Sequence, residues 1–338
     1  MQCINKGAHS ICFADPPRIS AWVSAAGKLE AAGPLGKGFD FILGDSYFGQ
    51  KSWEQAEQAL QQSVLRRLLR KSGLSASSLG AVISGDLNNQ CIASSFCLRN
   101  SGIPHLGLYG ACSTMAEAIL VGAMAVGSGS LQTAAAMASS HFCTAERQYR
   151  FPLGYGGQRT PESQWTVTGA GAALITGAGH FPRITGCTLG TVTDYGITDP
   201  SNMGGAMAPS AFSTLKQHLE DFSRSEADYD LILTGDLGAL GSALLRELCT
   251  KEGIRLGEKQ QDCGLLIFDR ETQDVGQGGS GAGCSAAVVC SWILHQLQVK
   301  ALNRVLFLGT GALLSPLTSQ QKLSIPGICH AVVLEAPE

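Results

Sequence analysis

The sequence predicts an α/β protein built from two similar halves. Three observations carry that expectation. Short apolar strand patterns alternate with helix-length stretches along the 338 residues, which argues for largely parallel sheets covered on both faces. The string Ile83-Ser84-Gly85-Asp86-Leu87 reappears as Leu233-Thr234-Gly235-Asp236-Leu237, each after an apolar strand. Gly110-Ala111-Cys112-Ser113 is echoed by Ala282-Gly283-Cys284-Ser285, each opening a helix. The two signatures keep their order in both halves, which places an N-terminal half at 1–178 and a C-terminal half at 179–338.

The elements follow in order. Ser52 reads as a helix N-cap, and the apolar positions Ala56, Leu60, Val64, Leu65, Leu68 and Leu69 recur at helical spacing until Ser72-Gly73 ends the run. Ala81–Ser84 and Leu106–Tyr109 read as short strands, and a small-residue helix starts at Ser113. Strands are expected at Leu131–Ala138 and Trp165–Thr176. A helix near Ala208–Phe222, a strand at Asp230–Thr234 and a helix near Gly241–Lys251 follow. The last elements are a strand at Leu265–Asp269, a helix near Cys284–Leu297 and a strand at Arg304–Gly309. The segment 146–164 breaks this rhythm with Arg147, Arg150 and Arg159 among aromatics and Gly-Gly. It reads as a loop insertion, and long loops of this kind commonly serve a site.

Composition excludes several classes. Apolar residues make up 44% and charged residues 15%, well under the ~25% charged of an average soluble chain, so most of the length is not disordered. With 24 Lys and Arg against 27 Asp and Glu, no overall basic excess points to nucleic acid. The first ten residues lack the apolar core of a signal peptide. The apolar runs 116–126 and 286–294 are too short to cross a bilayer, so a soluble chain is expected. The 12 Cys have no CxxC pair and read as reduced, mostly buried thiols.

Cys112 is the first chemical candidate. A strand turning sharply into a helix exposes a side chain at the helix N-terminus, where the backbone dipole favours a thiolate. Such a cysteine is a potential acyl-accepting nucleophile, and its alternative is a small residue packing the turn. His141, after Ser139-Ser140, is placed to serve as its base. Asp86 and Asp236 read as helix N-caps at strand-to-helix turns, the alternative being pocket carboxylates. Gly276–Gly281 fits GxGxxG without the rest of a dinucleotide fingerprint and reads as close backbone approach near Cys284. The arginines of the insertion suit a carboxylate ligand, since guanidinium binds carboxylate through paired hydrogen bonds, the alternative being an ordinary solvated face. No histidine spacing suggests a metal site, and no cofactor is indicated.

At this point the residues resemble something known. The duplicated halves, the Gly-Ala-Cys-Ser turn, Thr166–Ala173 (TVTGAGAA) and Gly309–Ala312 (GTGA) resemble the thiolase fold of ketoacyl synthases. A closer resemblance, over nearly the whole chain, is to the stage V sporulation protein AD family. It is carried by LGLYGACST (106–114), SSHFCTAERQYRFP (139–152), YGGQRTPESQWTVTGAGAAL (155–174), DPSNMGGAMAPSA (199–211) and QDVGQGGSGAGCSA (273–286). The resemblance implies a thiolase-like αβαβα layering and a non-catalytic spore protein. Such proteins bind dipicolinic acid (pyridine-2,6-dicarboxylate) and work with membrane proteins of the same operon to move it, with calcium, into the developing spore. It implies a soluble protein peripheral to the spore inner membrane, and thiolase-like folds are often homodimers. Where a related synthase carries His-Gln-Ala-Asn, this chain has Thr234–Leu237; where it carries Gly-Asn-Thr-Ser, this chain has Gly279–Ala282. Cys112 is therefore expected to be a vestigial nucleophile. The expected ligand contacts are Cys112, His141, Arg147, Arg159 and Gln164. The alternative is an acyl-transferring or condensing enzyme using Cys112.

Overall fold

A computed structural model describes residues 3–149 and 159–338. Ten strands form the spine of its main sheet: β1 (Arg18–Ala26), β2 (Ala81–Gly85), β3 (His105–Gly107), β4 (Thr133–Ser140), β5 (Gly169–Thr176), β6 (Arg183–Thr188), β7 (Leu231–Thr234), β8 (Gln260–Asp262), β9 (Arg304–Ala312) and β10 (Gly327–Glu335). Their order is β8-β7-β9-β10-β6-β1-β5-β4-β2-β3. Read outward from the middle, each side repeats one pattern: first strand, fifth, fourth, second, third. The two sides meet where Arg18 pairs with Arg183.

The pairing is mixed rather than largely parallel. β2 runs parallel to β3 and β4, and β7 runs parallel to β8 and β9. The strands nearer the middle are antiparallel. The sequence reading missed β1, β6 and β10 and therefore missed the antiparallel centre. β1 reads RISAWVSAA, with Ala and Ser where a strand signal needs β-branched or aromatic residues. The expected strand at Leu265–Asp269 is also wrong. The strand is β8, just upstream, and Cys263–Leu266 is a short helix capped by Asp262.

Helices fill the layers. α1 (Trp53–Ser72) starts at Ser52, whose hydroxyl accepts from Gln55 N, and stops at Gly73 in the left-handed region. It packs on β1, β4 and β5, burying Ala56, Leu60, Val64, Leu65 and Leu68. α2 (Thr114–Gly127) touches β2, β4 and β5 on one side and β9 and β10 on the other. A helix between two sheet faces has little solvent side, only Met124 of its residues being exposed, which is why its sequence is small and apolar nearly all round. α3 (Phe142–Tyr149) follows β4. α4 (Met203–Phe222), as long as α1, covers β9 and β10, and α5 (Gly238–Lys251) packs beside it. α6 (Ala282–Val288) lies against β4 and β5 and passes through a π-helical turn at Val289–Ile293. The 12 cysteines are all free thiols.

Candidate functional site

The Gly-Ala-Cys-Ser turn places the site. Ala111 has φ 51, in the left-handed region that a side chain adopts at a cost of about 1–2 kcal/mol. Ala111–Ser113 then form a tight turn leading into α2. The end of β9 presses on this turn so closely that a Cβ at Gly311 would lie 2.5 Å from the Gly110 carbonyl. Cys112 is held at one wall of a cavity of about 150 Å³. It is 5% exposed, and its thiol is not the activated group expected from the helix start. Burial pushes it well above the ordinary thiol range, and the neighbouring Asp236 carboxylate adds to the shift. Desolvation and a like charge oppose thiolate formation more strongly than one helix terminus favours it.

Asp236 is the residue the sequence misassigned. It is a buried site carboxylate, not a helix cap. Oδ2 accepts from Gly281 N at 2.9 Å and from Ser280 Oγ at 3.0 Å, and Oδ1 accepts from Thr310 Oγ1 at 2.9 Å. The Cys112 thiol neighbours the same carboxylate, whose charge opposes its ionisation. Asp236 thereby ties together the repeated Gly-Asp signature, the Gly-rich string, the Gly-Thr-Gly end of β9 and the cysteine turn. Capping of α5 falls to Asp262, whose carboxylate accepts from Leu237 N at 2.8 Å and Gly238 N at 3.1 Å. Asp86 accepts from Asn88 N, Ser94 N and Ser94 Oγ. It organises a loop and the start of the Ile92–Cys97 helix without being that helix's N-cap. The Gly-rich string does serve close backbone approach. Gly281 has φ +104, and a Cβ at Gly283 would sit 2.3 Å from Gly169 O.

Arg159 and Gln164 line the cavity with Cys112. Arg159 pairs with Glu146 at 2.8 Å, donates to Gln164 O at 3.1 Å and lies over the stacked rings of Phe142 and Trp165. Gln164 is 5% exposed. Its Nε2 donates to the carbonyls of Asp236 and Gly279, while its Oε1 is buried with no donor among the described residues. Tyr149 and Leu87 also line the cavity, joined by a Tyr149 hydroxyl bond to Leu87 O at 2.6 Å.

The other expected contacts lie elsewhere. His141 is fully buried, but its Nε2 meets Ser46 O at 2.9 Å, and it lies outside the cavity lining. Burial lowers its pKa, so it is a neutral packing imidazole and not a base for Cys112. Arg147 pairs with Glu54 at 2.5 Å, stacks over Trp53, and also lies outside that lining. Arg150 lies outside the described residues.

A support the sequence reading missed is Glu57. It sits on the buried stripe of α1 and accepts from Asn88 Nδ2, Ser139 Oγ and Thr144 Oγ1, each at 2.8 Å. Those bonds fix the base of α3, which carries the cavity residues Ala145, Glu146 and Tyr149. A carboxylate in register with Leu60 and Val64 was the available signal. Among the described residues no group of three His, Cys, Asp or Glu is disposed to hold a metal ion. No described helix is long and apolar enough to cross a membrane.

The family described as Stage V sporulation protein AD matches residues 7–335. The chain belongs to the stage V sporulation protein AD family. A relative of that name from Bacillus subtilis (strain 168) is 44% identical over 329 residues, covering 97% of each chain. Membership of the stage V sporulation protein AD family sets the chain in the context of spore formation. Among solved structures, cerulenin-bound Xanthomonas OleA superposes with a TM-score of 0.63 at 12% identity, over 99% of this chain and 100% of that one. 3-Oxoacyl-[acyl-carrier-protein] synthase III from Aquifex aeolicus VF5 gives 0.57 at 13% identity, over 94% and 99%. At such identities the likeness is one of fold: this member of the family has the thiolase-like fold of condensing enzymes.

Proposed function

We propose that the chain binds dipicolinate in the cavity beside Cys112 and supports its uptake, with calcium, into the developing spore together with membrane partners, without catalysing a reaction. The observation that carries the non-catalytic part is the company Cys112 keeps. Its thiol faces the Asp236 carboxylate, and no histidine is among the described residues lining the cavity. A condensing nucleophile needs a nearby base or cation to form the thiolate and donors to stabilise the thioester oxygen. A buried carboxylate at that place works against the thiolate.

Family membership supports the ligand, and the cavity's shape and polarity suit it. Dipicolinate is small and planar. Apolar side chains such as Leu87, Met203 and Leu314 flank the space, and Arg159 supplies a cation at one end. Gln164 and the hydroxyls of Ser163 and Ser201 add polar positions. Cys112, Arg159 and Gln164 are the proposed contacts. His141 and Arg147 drop out because they face other parts of the molecule.

Calorimetric titration of the purified protein with dipicolinate, and separately with acyl-CoA followed by intact mass, tests the reading. The expected result is one dipicolinate bound per chain and no acyl adduct on Cys112. Saturable acylation of Cys112, or no heat with dipicolinate, overturns it.

A further inference from the structure

The two halves share a strand order but not a charge. Up to residue 178 the chain has 13 Lys and Arg against 10 Asp and Glu; after it, 11 against 17. Four of the acids in the first half, Glu30, Glu57, Asp86 and Glu146, are buried, so that half's surface is more basic than its formal charge. The excess gathers on one place. The last two turns of α1 carry Arg66, Arg67, Arg70 and Lys71, all exposed, and exposed Arg99 follows the neighbouring helix. The two helices touch along this side: Gln58 donates to Phe96 O and Gln62 to Cys97 O. Arg66, one turn beyond Gln62, continues that line toward Arg70.

Cations near a helix C-terminus commonly answer the helix dipole. That explanation fails here by internal comparison. α4 is the second half's outer helix, has the same 20-residue length, and ends at a left-handed residue as α1 does. At the positions of Arg66, Arg67, Arg70 and Lys71 it carries Lys216, Gln217, Glu220 and Asp221. The fold therefore does not require the basic cluster. Nor is the cluster spent on ion pairs. Among the described residues no salt bridge holds Arg66, Arg67, Arg70 or Arg99, and Lys71, whose ammonium donates to Trp22 O at 2.9 Å, lies 3.8 Å from Asp40. Arg67 lies over the Phe41 ring at 4.4 Å and Arg99 over Phe96 at 4.9 Å. Stacking holds the guanidinium groups on the protein surface beside apolar side chains. Phe96 is 39% exposed, and Ile42, next to Phe41, is 48% exposed.

We propose that this outward face of α1, with Arg66, Arg67, Arg70, Lys71 and Arg99, docks the protein on an anionic lipid bilayer. Charge complementarity names the occupant. Each Lys or Arg near an anionic membrane surface attracts it, and clusters of four to eight suffice for peripheral binding. The half-exposed Phe96 and Ile42 add apolar area at the headgroup level. The acidic second half is repelled by the same surface, so the molecule is oriented with its first half toward the membrane. This rests on the reading of the chain as membrane-peripheral but not on the identity of the cavity's ligand.

The test is co-sedimentation with vesicles of phosphatidylcholine alone or mixed with phosphatidylglycerol, at low and high salt. The wild type is expected to pellet with the mixed vesicles at low salt, to stay in solution with phosphatidylcholine, and to be released by high salt. Arg66→Gln, Arg67→Gln, Arg70→Gln and Lys71→Gln combined are expected to weaken vesicle binding at least tenfold. A control lowering net charge equally in the second half, with Lys251, Arg255, Lys300 and Lys322 each changed to Gln, is expected to pellet like the wild type. Equal loss in both variants, equal pelleting on neutral vesicles, or no pelleting at all overturns the proposal; the last is the result expected if an acidic protein segment covers this face. Dipicolinate titration of the α1 variant is expected to be unchanged, which checks its folding and keeps the two proposals separable.

Discussion

Gln164 donates from Nε2 to the main-chain carbonyl of Asp236 at 2.7 Å, and from the same nitrogen to Gly279 O at 3.0 Å. Both partners are carbonyl oxygens, so the orientation of the amide is fixed by chemistry: nitrogen toward them, Oε1 away. The bond joins the loop insertion to the two strand ends that frame Cys112. Replacing Gln164 with Leu strands two buried carbonyls, each worth about 1–3 kcal/mol when left unpaired. Urea unfolding of Gln164→Leu is expected to show a loss of about 2–4 kcal/mol. A loss below about 0.5 kcal/mol means the bond is replaced by water.

Arg159 and Glu146 give the next expectation. The ion pair sits at the cavity wall, so a doubly negative ligand gains from the arginine and is opposed by the glutamate. Arg159→Ala is expected to weaken dipicolinate binding at least tenfold, since a charge-assisted bond is worth about 1.5–3 kcal/mol. Glu146→Gln is expected to tighten it severalfold. His141→Ala and Arg147→Ala are expected to leave the affinity within about threefold of wild type once folding is verified, because both face away from the cavity. Calorimetry on the four variants checks the set, and weakening by Arg147→Ala equal to that by Arg159→Ala would place the ligand elsewhere.

What the sequence revealed follows from what a linear pattern encodes. α1 was readable because its apolar spacing, Ser52 cap and Gly73 stop all act locally. The two repeated signatures were readable because each is contiguous. β1 was not: its alanines and serines suit a crowded sheet centre but carry weak strand preference, whereas β10 (GICHAVVLE) was missed although Ile328, Val332 and Val333 favour a strand. Cys112 was visible as a position, and Arg159 and Gln164 as polar residues of an insertion. Asp236 was visible too, but its role was not. Whether a carboxylate after a strand caps a helix or faces a thiol depends on partners 44 to 124 residues away in the chain, namely Ser280 and Cys112. The same distance dependence misled the assignment of His141, whose ring partner is Ser46 O.

Cys112 itself makes a prediction against the usual reading of a cysteine at a helix start. With its thiol raised by burial and by Asp236, alkylation by iodoacetamide at pH 7 is expected to be at least tenfold slower than for a free thiol of pKa ~8.5, because the thiolate is the reacting form. Asp236→Asn removes the like charge and is expected to speed labelling of Cys112, read by peptide mass spectrometry alongside circular dichroism. Fast labelling of the wild type at neutral pH is the outcome that restores the enzyme reading.

Buried carboxyls and buried histidines set the pH dependence of stability in opposite directions. Glu30 is 1% exposed and accepts from Thr168 N at 2.9 Å, yet desolvation raises its pKa from 4.5 to about 7. Asp262 is raised from 3.8 to about 7, also chiefly by burial. A carboxyl with a raised folded pKa binds its proton more tightly in the folded state than in the unfolded one. Its stabilising contribution is full below the unfolded pKa and fades as pH rises through about 4 to 7, at up to about 1.4 kcal/mol per pH unit for each group. Buried neutral histidines act in the opposite sense: burial lowers His218 to about 3 and His330 to about 4, so their contribution is lost as pH falls below the free imidazole value. The carboxyl contribution is therefore read from a variant and not from the wild-type midpoint alone. Glu30→Gln keeps a carbonyl to accept from Thr168 and removes the titration, so the thermal unfolding midpoint at pH 5 minus that at pH 7.5 is expected to be lower in the variant than in the wild type. An equal pH dependence of the midpoint in wild type and Glu30→Gln would mean that this carboxylate stays charged in the fold, with its hydrogen bonds outweighing burial.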